Sequence, residues 1–185
     1  RGLVGSEMCI RDSYNSAIFF DPRGKPIACY HKIHLTEEDK NFYSPGHRLT
    51  IVNFKKTVCS LQICFDIRFP ETWRLLALKG VKLIIHIANA CKSATWKVPV
   101  WEAHLRSRAA EDGIFIASAN AAGPLQMGIS QIVDPDGLIK ARANMDTEEL
   151  ITAELDLTKA HQRFLKQRRA DIYWVEGEKG LIKNK

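Results

Sequence analysis

Two nearly unbroken apolar runs, at residues 81–88 and 114–120, do most to constrain the fold of this chain. A strand that alternates polar and apolar residues can leave one face in water. These two runs cannot, so both predict buried strands. Between them, residues 100–112 place Trp101, Leu105, Ala109 and Asp112 on one helical face, and Gly113 follows as a stop signal. The mixture argues one α/β domain whose sheets are covered by helices.

Shorter signals fill in the rest. Residues 16–20 and 26–31 read as two strands around the turn Asp21-Pro22-Arg23-Gly24. Residues 36–47 are polar, end in Ser44-Pro45-Gly46 and read as a loop. Strands are expected at 49–54 and 58–64. A helix is expected over 70–79, with Pro70 in its first turn, Glu71 at its positive end and Gly80 past its last residue. A hairpin, 130–133 and 138–143, turns at Asp134-Pro135-Asp136-Gly137. A further strand is expected at 149–155, and Asp156 is placed to cap a last helix running to about residue 167.

The chain has 185 residues, 45% of them hydrophobic and 26% charged, enough for one domain with a core. No apolar run reaches the ~18 residues of a membrane span, and the sequence as given does not open on a basic-then-apolar stretch. The net charge is +6. Its one small cluster, Arg163, Lys166, Arg168 and Arg169, reads as a solvated face, because a nucleic-acid patch needs aromatic interleaving or a known module. The five cysteines, Cys9, Cys29, Cys59, Cys64 and Cys91, are odd in number and form no CxxC pair. That argues against a disulfide framework or a zinc site and for reduced thiols in a cytoplasmic protein. Residues 1–13 have no helical or strand period and resemble the translation of a sequencing-library adapter. They are expected to be non-native, with the natural chain beginning upstream of Tyr14. The expected organisation is then a single domain over 14–175 and a tail over 176–185.

Cys64 carries the sharpest chemical signal. It ends a buried strand, and a helix opens six residues later at Pro70. A strand-to-helix turn exposes a nucleophile and leaves backbone N–H groups free to bind an oxyanion. A buried structural cysteine is the competing reading, and pattern alone does not separate them. Lys32 leaves an apolar strand. Alone it reads as solvated; beside a thiol it can stabilise an oxyanion and pass on a proton. His31 and His34, three apart on an extended segment, make a poor metal pair.

The strings YHKIHL, SPG and CFDIRFPE resemble two of the three catalytic blocks of the nitrilase superfamily. HIANA, WEAHLRSRAAED, SANAAG, GISQIVDPDGLI and RRADIY follow in the order of the same family. The resemblance implies a four-layer αββα sandwich, here missing its first strands and helices, and a homodimer or larger assembly. It implies Cys64 as nucleophile, Lys32 as oxyanion stabiliser and proton donor, and the Phe65 backbone N–H as oxyanion donor. The family's general base is a glutamate well before the lysine; here the only upstream glutamate is Glu7. A second acidic residue supports the lysine, at Asp39 or its neighbour Glu38. Arg108 and Glu111, with Asp112, match a structural support and are expected to pair within their helix. Ala90, Trp96 and Met127 match loops that line the pocket. The implied activity is hydrolysis of a small amide, N-carbamoyl amine or nitrile through a thioester, without metal or organic cofactor, nucleic acid or membrane. The 185 residues by themselves are expected to be nearly inactive. The alternative is a truncated, non-catalytic chain acting only in binding or assembly.

Overall fold

The computed structural model describes residues 13–91, 96–126 and 128–169. Met127, the RRADIY string beyond Arg169, the tail over 176–185 and all of the expected non-native segment except Ser13 lie outside the described residues.

Local chemistry sets most elements. Strands β1 (Ser16–Phe20) and β2 (Pro26–His31) form an antiparallel hairpin. At its turn Asp21 Oδ1 accepts from the Arg23 and Lys25 backbone N–H groups at 2.8 and 2.9 Å. A second sheet runs in the order β3 (Ile51–Phe54), β4 (Thr57–Ile63), β5 (Leu83–Ala88), β6 (Phe115–Asn120), β7 (Gln131–Val133), β8 (Ile139–Arg142). The β4–β5 and β5–β6 pairs are parallel and the others antiparallel. The parallel pairs require crossovers, which are helices α1 (Pro70–Leu78) and α2 (Lys97–Asp112). Gly113 closes α2 with φ 62°, a left-handed cap that glycine adopts without steric cost.

The two apolar runs are therefore central strands. One face of the sheet sends Ile84, Ile116 and Val133 into a cluster with Trp73, Leu76, Trp101 and Leu105 of the helices. The opposite face sends Leu61, Ile63 and Ile85 toward Ala17 and Tyr30 of the hairpin. Among the described residues no helix is long and apolar enough to cross a membrane.

Three expectations are corrected. The loop at 36–47 contains a 3-10 turn, Asp39–Asn41. Residues 149–155 are not a strand: an extended segment becomes one only by pairing, and no described ladder reaches them. The last helix is broken. Asp156 caps only a 3-10 turn, Leu157–Lys159, and α3 (Arg163–Gln167) starts afresh. Tertiary contacts override the local pattern between them: His161 N–H donates to the Gly113 carbonyl at 3.1 Å, and Gln162 Nε2 donates to the Ala77 carbonyl at 2.7 Å.

Candidate active site

β4 ends at Ile63 in extended backbone, and Cys64 turns sharply with φ 45°. A non-glycine residue in the left-handed region is strained and persists only where its surroundings hold it. Asp66, fully buried, supplies much of that hold. Its Oδ2 accepts from the Tyr30 hydroxyl at 2.8 Å and the Ile63 N–H at 3.0 Å. Its Oδ1 accepts from the His34 N–H and from His34 Nδ1, both at 3.0 Å. The carbonyl of Asp66 accepts the Trp73 indole N–H at 3.0 Å, which ties the turn to α1. Residues 64–68 form a 3-10 turn, so Phe65, its second residue, has no intrahelical acceptor for its N–H.

Lys32 directly follows β2. Its N–H donates to the Asn15 carbonyl and its carbonyl accepts the Gly46 N–H, each at 2.8 Å. A Cβ on Gly46 would lie 2.1 Å from the His31 carbonyl oxygen, so the Ser44-Pro45-Gly46 string needs glycine there for close approach. The Lys32 side chain is 3% exposed, and its Nζ is paired with Asp39 Oδ2. Asp39 also accepts from the Thr36 N–H at 3.1 Å. Burial works against the ionised Asp39, but the Lys32 and Thr36 hydrogen bonds prevail and hold its carboxyl below the ordinary value. Geometry thus selects Asp39 rather than Glu38 as the partner of Lys32.

Lys32, Asp39, Cys64, Phe65, Ala90 and Trp96 all line one cavity of about 1170 Å³. Burial pushes the Cys64 thiol up; the Lys32 charge and the Asn89 backbone amide oppose that, without overcoming it. Ala90 is fixed by its N–H, which donates to Asn120 Oδ1 at 2.9 Å. Arg108 and Glu111 are not among the cavity's lining residues. Arg108 donates to the Ile67 carbonyl at 3.3 Å and pairs with Glu111 at 3.5 Å, so it braces the Cys64 turn from the α2 side. Asp112 departs from expectation: its nearest cation is Arg74 of α1, at 2.7 Å, rather than Arg108 within its own helix. The contact is ionic, without the alignment of a hydrogen bond, and burial pushes the Asp112 carboxyl up to about 7.

Sequence reasoning missed Asp66, Arg68, Asn89 and His86. Asp66 offered one signal, an acidic residue within the apolar string CFDIRF. Arg68 lines the cavity, donates to His104 Nε2 at 3.3 Å and lies over the Trp96 ring at 5.6 Å. His86 Nε2 lies 3.1 Å from the Cys64 carbonyl oxygen.

A buried amine and a thiol on a strained strand-to-helix turn share this cavity. The family model for carbon–nitrogen hydrolases matches residues 5–163. The chain belongs to that family. As a carbon–nitrogen hydrolase family member it falls within the nitrilase superfamily and is related to omega-amidases and amidases. It is 34% identical over 179 residues to omega-amidase NIT3 of Saccharomyces cerevisiae, covering 86% of this chain and 60% of that protein. It is 28% identical over 199 residues to omega-amidase NIT2 of Mus musculus, covering 96% of this chain and 71% of that protein. Its fold matches a mutant amidase from Nesterenkonia sp. AN1 with a TM-score of 0.72 and 27% identity, covering 84% of this chain and 59% of that one. That structure shows the acetamide moiety of fluoroacetamide added covalently at the active-site cysteine. The chain thus spans only part of the length of these relatives.

Proposed function

We propose that this chain carries the thiol, amine and oxyanion-binding part of an enzyme that hydrolyses small carboxamides through a thioester on Cys64. The observation that carries the reading is the strained Cys64 turn, which shares a cavity with the buried Lys32. The thiolate of Cys64 attacks the amide carbon, forming a C–S bond and a tetrahedral oxyanion. Lys32 Nζ and the Phe65 N–H hold that charge. The C–N bond breaks, ammonia or an amine leaves with a proton, and water then cleaves the thioester to the acid and the free thiol. Asp39 holds the Lys32 amine in place by pairing with its Nζ.

Amides are favoured over nitriles and N-carbamoyl amines because most of the matched relatives are named amidases, one being named a nitrilase, and one solved relative is in complex with butyramide. Arg68 extends the reading. Its guanidinium lines the cavity and has no carboxylate partner among the described residues, which suits an amide that carries a carboxylate at its far end.

The raised thiol needs a proton acceptor. The resemblance assigns that role to a glutamate before Lys32, and Glu7 is the only one in this sequence. Glu7 lies outside the described residues and no glutamate precedes Lys32 among the described ones, so little turnover is expected from these 185 residues. The four-layer sandwich and its assembly into a homodimer or larger homo-oligomer belong to the same proposal. The six-stranded sheet with helices packed on one face supports that reading.

The test is ammonia release from butyramide by the purified chain, with mass analysis of Cys64 after exposure to an activated ester. Acylation at Cys64 without turnover is the expected result. Ammonia release abolished by Cys64→Ala would refute the inactivity, and failure of Cys64 to acylate would refute the nucleophile.

A further inference from the structure

With Cys64 read as the nucleophile, His86 gains a role at the site. His86 lies in the middle of β5, fully buried, in a row of buried polar residues that crosses four strands. The register pairs Gln62 with His86, His86 with Ser118, and Ser118 with Gln131. The His86 ring packs against the Trp73 and Trp101 rings, tilted to both, with centroids at 5.7 and 5.3 Å, so side chains of α1 and α2 confine it.

Its two nitrogens have distinct partners. Nε2 lies 3.1 Å from the Cys64 carbonyl oxygen, and Nδ1 lies 2.9 Å from Ser118 Oγ. A carbonyl only accepts, so Nε2 carries the hydrogen. Burial pushes the imidazole down to about 4, which keeps it neutral near pH 7. Nδ1 is then an acceptor, and the Ser118 hydroxyl donates to it. The result is a one-way chain from Ser118 through His86 to the Cys64 carbonyl.

That carbonyl and the Phe65 N–H belong to one peptide unit. The unit is planar and trans, so the two groups point in opposite directions. Whatever grips the carbonyl therefore sets the direction of the N–H. A donor on the carbonyl also polarises the peptide and strengthens the N–H as a donor in turn. We propose that His86, held by Ser118, is a positioning residue that aims and polarises the Phe65 N–H for the oxyanion formed at Cys64.

The test separates nucleophile from oxyanion site in the full chain, read by mass analysis of the Cys64 peptide. Alkylation by iodoacetamide needs only the thiolate, whereas acylation by p-nitrophenyl acetate passes through an oxyanion. His86→Phe is expected to slow acylation roughly tenfold to hundredfold while leaving alkylation little changed. His86→Gln, which keeps an N–H donor, is expected to restore much of the loss. Equal slowing of both reactions in His86→Phe, or no rescue by His86→Gln, would overturn the proposal. Nitrogen-15 NMR of the unsubstituted chain gives an independent reading: the expected tautomer is protonated at Nε2, and protonation at Nδ1 alone would also overturn it. If Cys64 of the unsubstituted chain takes neither reagent, the nucleophile reading falls and this proposal falls with it. If Cys64 takes both and His86→Phe leaves their ratio unchanged, only this proposal falls.

Discussion

Replacing Asp66 by asparagine perturbs the Cys64 turn with almost no change in shape, and the cost can be worked from the hydrogen bonds. Each carboxylate oxygen accepts two donors: Oδ2 from the Tyr30 hydroxyl and Ile63 N–H, Oδ1 from the His34 N–H and His34 Nδ1. Burial and the Asp66 charge push the Tyr30 phenol above its ordinary value, so Tyr30 is the donor of that pair. An asparagine turns one oxygen into an NH2 group. In either orientation that group meets two donors, one of them a backbone N–H that cannot turn away. Hydrogen bonds to a charged group contribute about 1.5–3 kcal/mol each, so losing two costs about 3–6 kcal/mol. Tyr30→Phe removes one and costs about 1.5–3 kcal/mol. Against a typical stability of about 5–15 kcal/mol, the asparagine variant stands close to unfolding. Urea titration followed by tryptophan fluorescence measures both, because the Trp73 indole is bonded to the Asp66 carbonyl. If Asp66→Asn costs no more than Tyr30→Phe, Asp66 does not hold the turn through all four bonds.

Three further outcomes are expected. Asp112 binds its proton more tightly folded than unfolded, because burial raises its carboxyl from 3.8 to about 7. Stability should therefore fall as pH rises through that window, by on the order of 2–4 kcal/mol. Urea midpoints of Asp112→Asn should lose this slope and exceed those of the parent at pH 8; an unchanged slope would sink the assignment. Lys32→Met removes a charge that favours the Cys64 thiolate, so the pH profile of Cys64 alkylation should move to higher pH. A profile that stays put would show that the two groups are not coupled. Arg68→Leu should slow acylation of Cys64 by a p-nitrophenyl monoester of a dicarboxylic acid roughly tenfold, the effect of about 1.4 kcal/mol, and spare the neutral acetate ester. Equal effects on both esters would remove Arg68 from substrate recognition.

What could be read from the sequence by itself was local. The apolar runs became β5 and β6 because side-chain periodicity depends only on neighbours along the chain. The turn after β4 and the cap at Gly113 were legible for the same reason: a proline, a glycine and a strand end act within a few residues. The strings in family order carried the resemblance to the family, and with it the expectation for Cys64 and Lys32. Tertiary structure decided whatever depends on a partner distant in sequence. Tyr30 reaches Asp66 across 36 residues and His86 reaches the Cys64 carbonyl across 22, so neither bond leaves a local pattern. Asp39 and Glu38 look alike in sequence, and only the fold of the 36–47 loop turns one of them toward Lys32. Residues 149–155 have strand composition and form no strand, because pairing is a property of the neighbouring backbone, which periodicity does not encode.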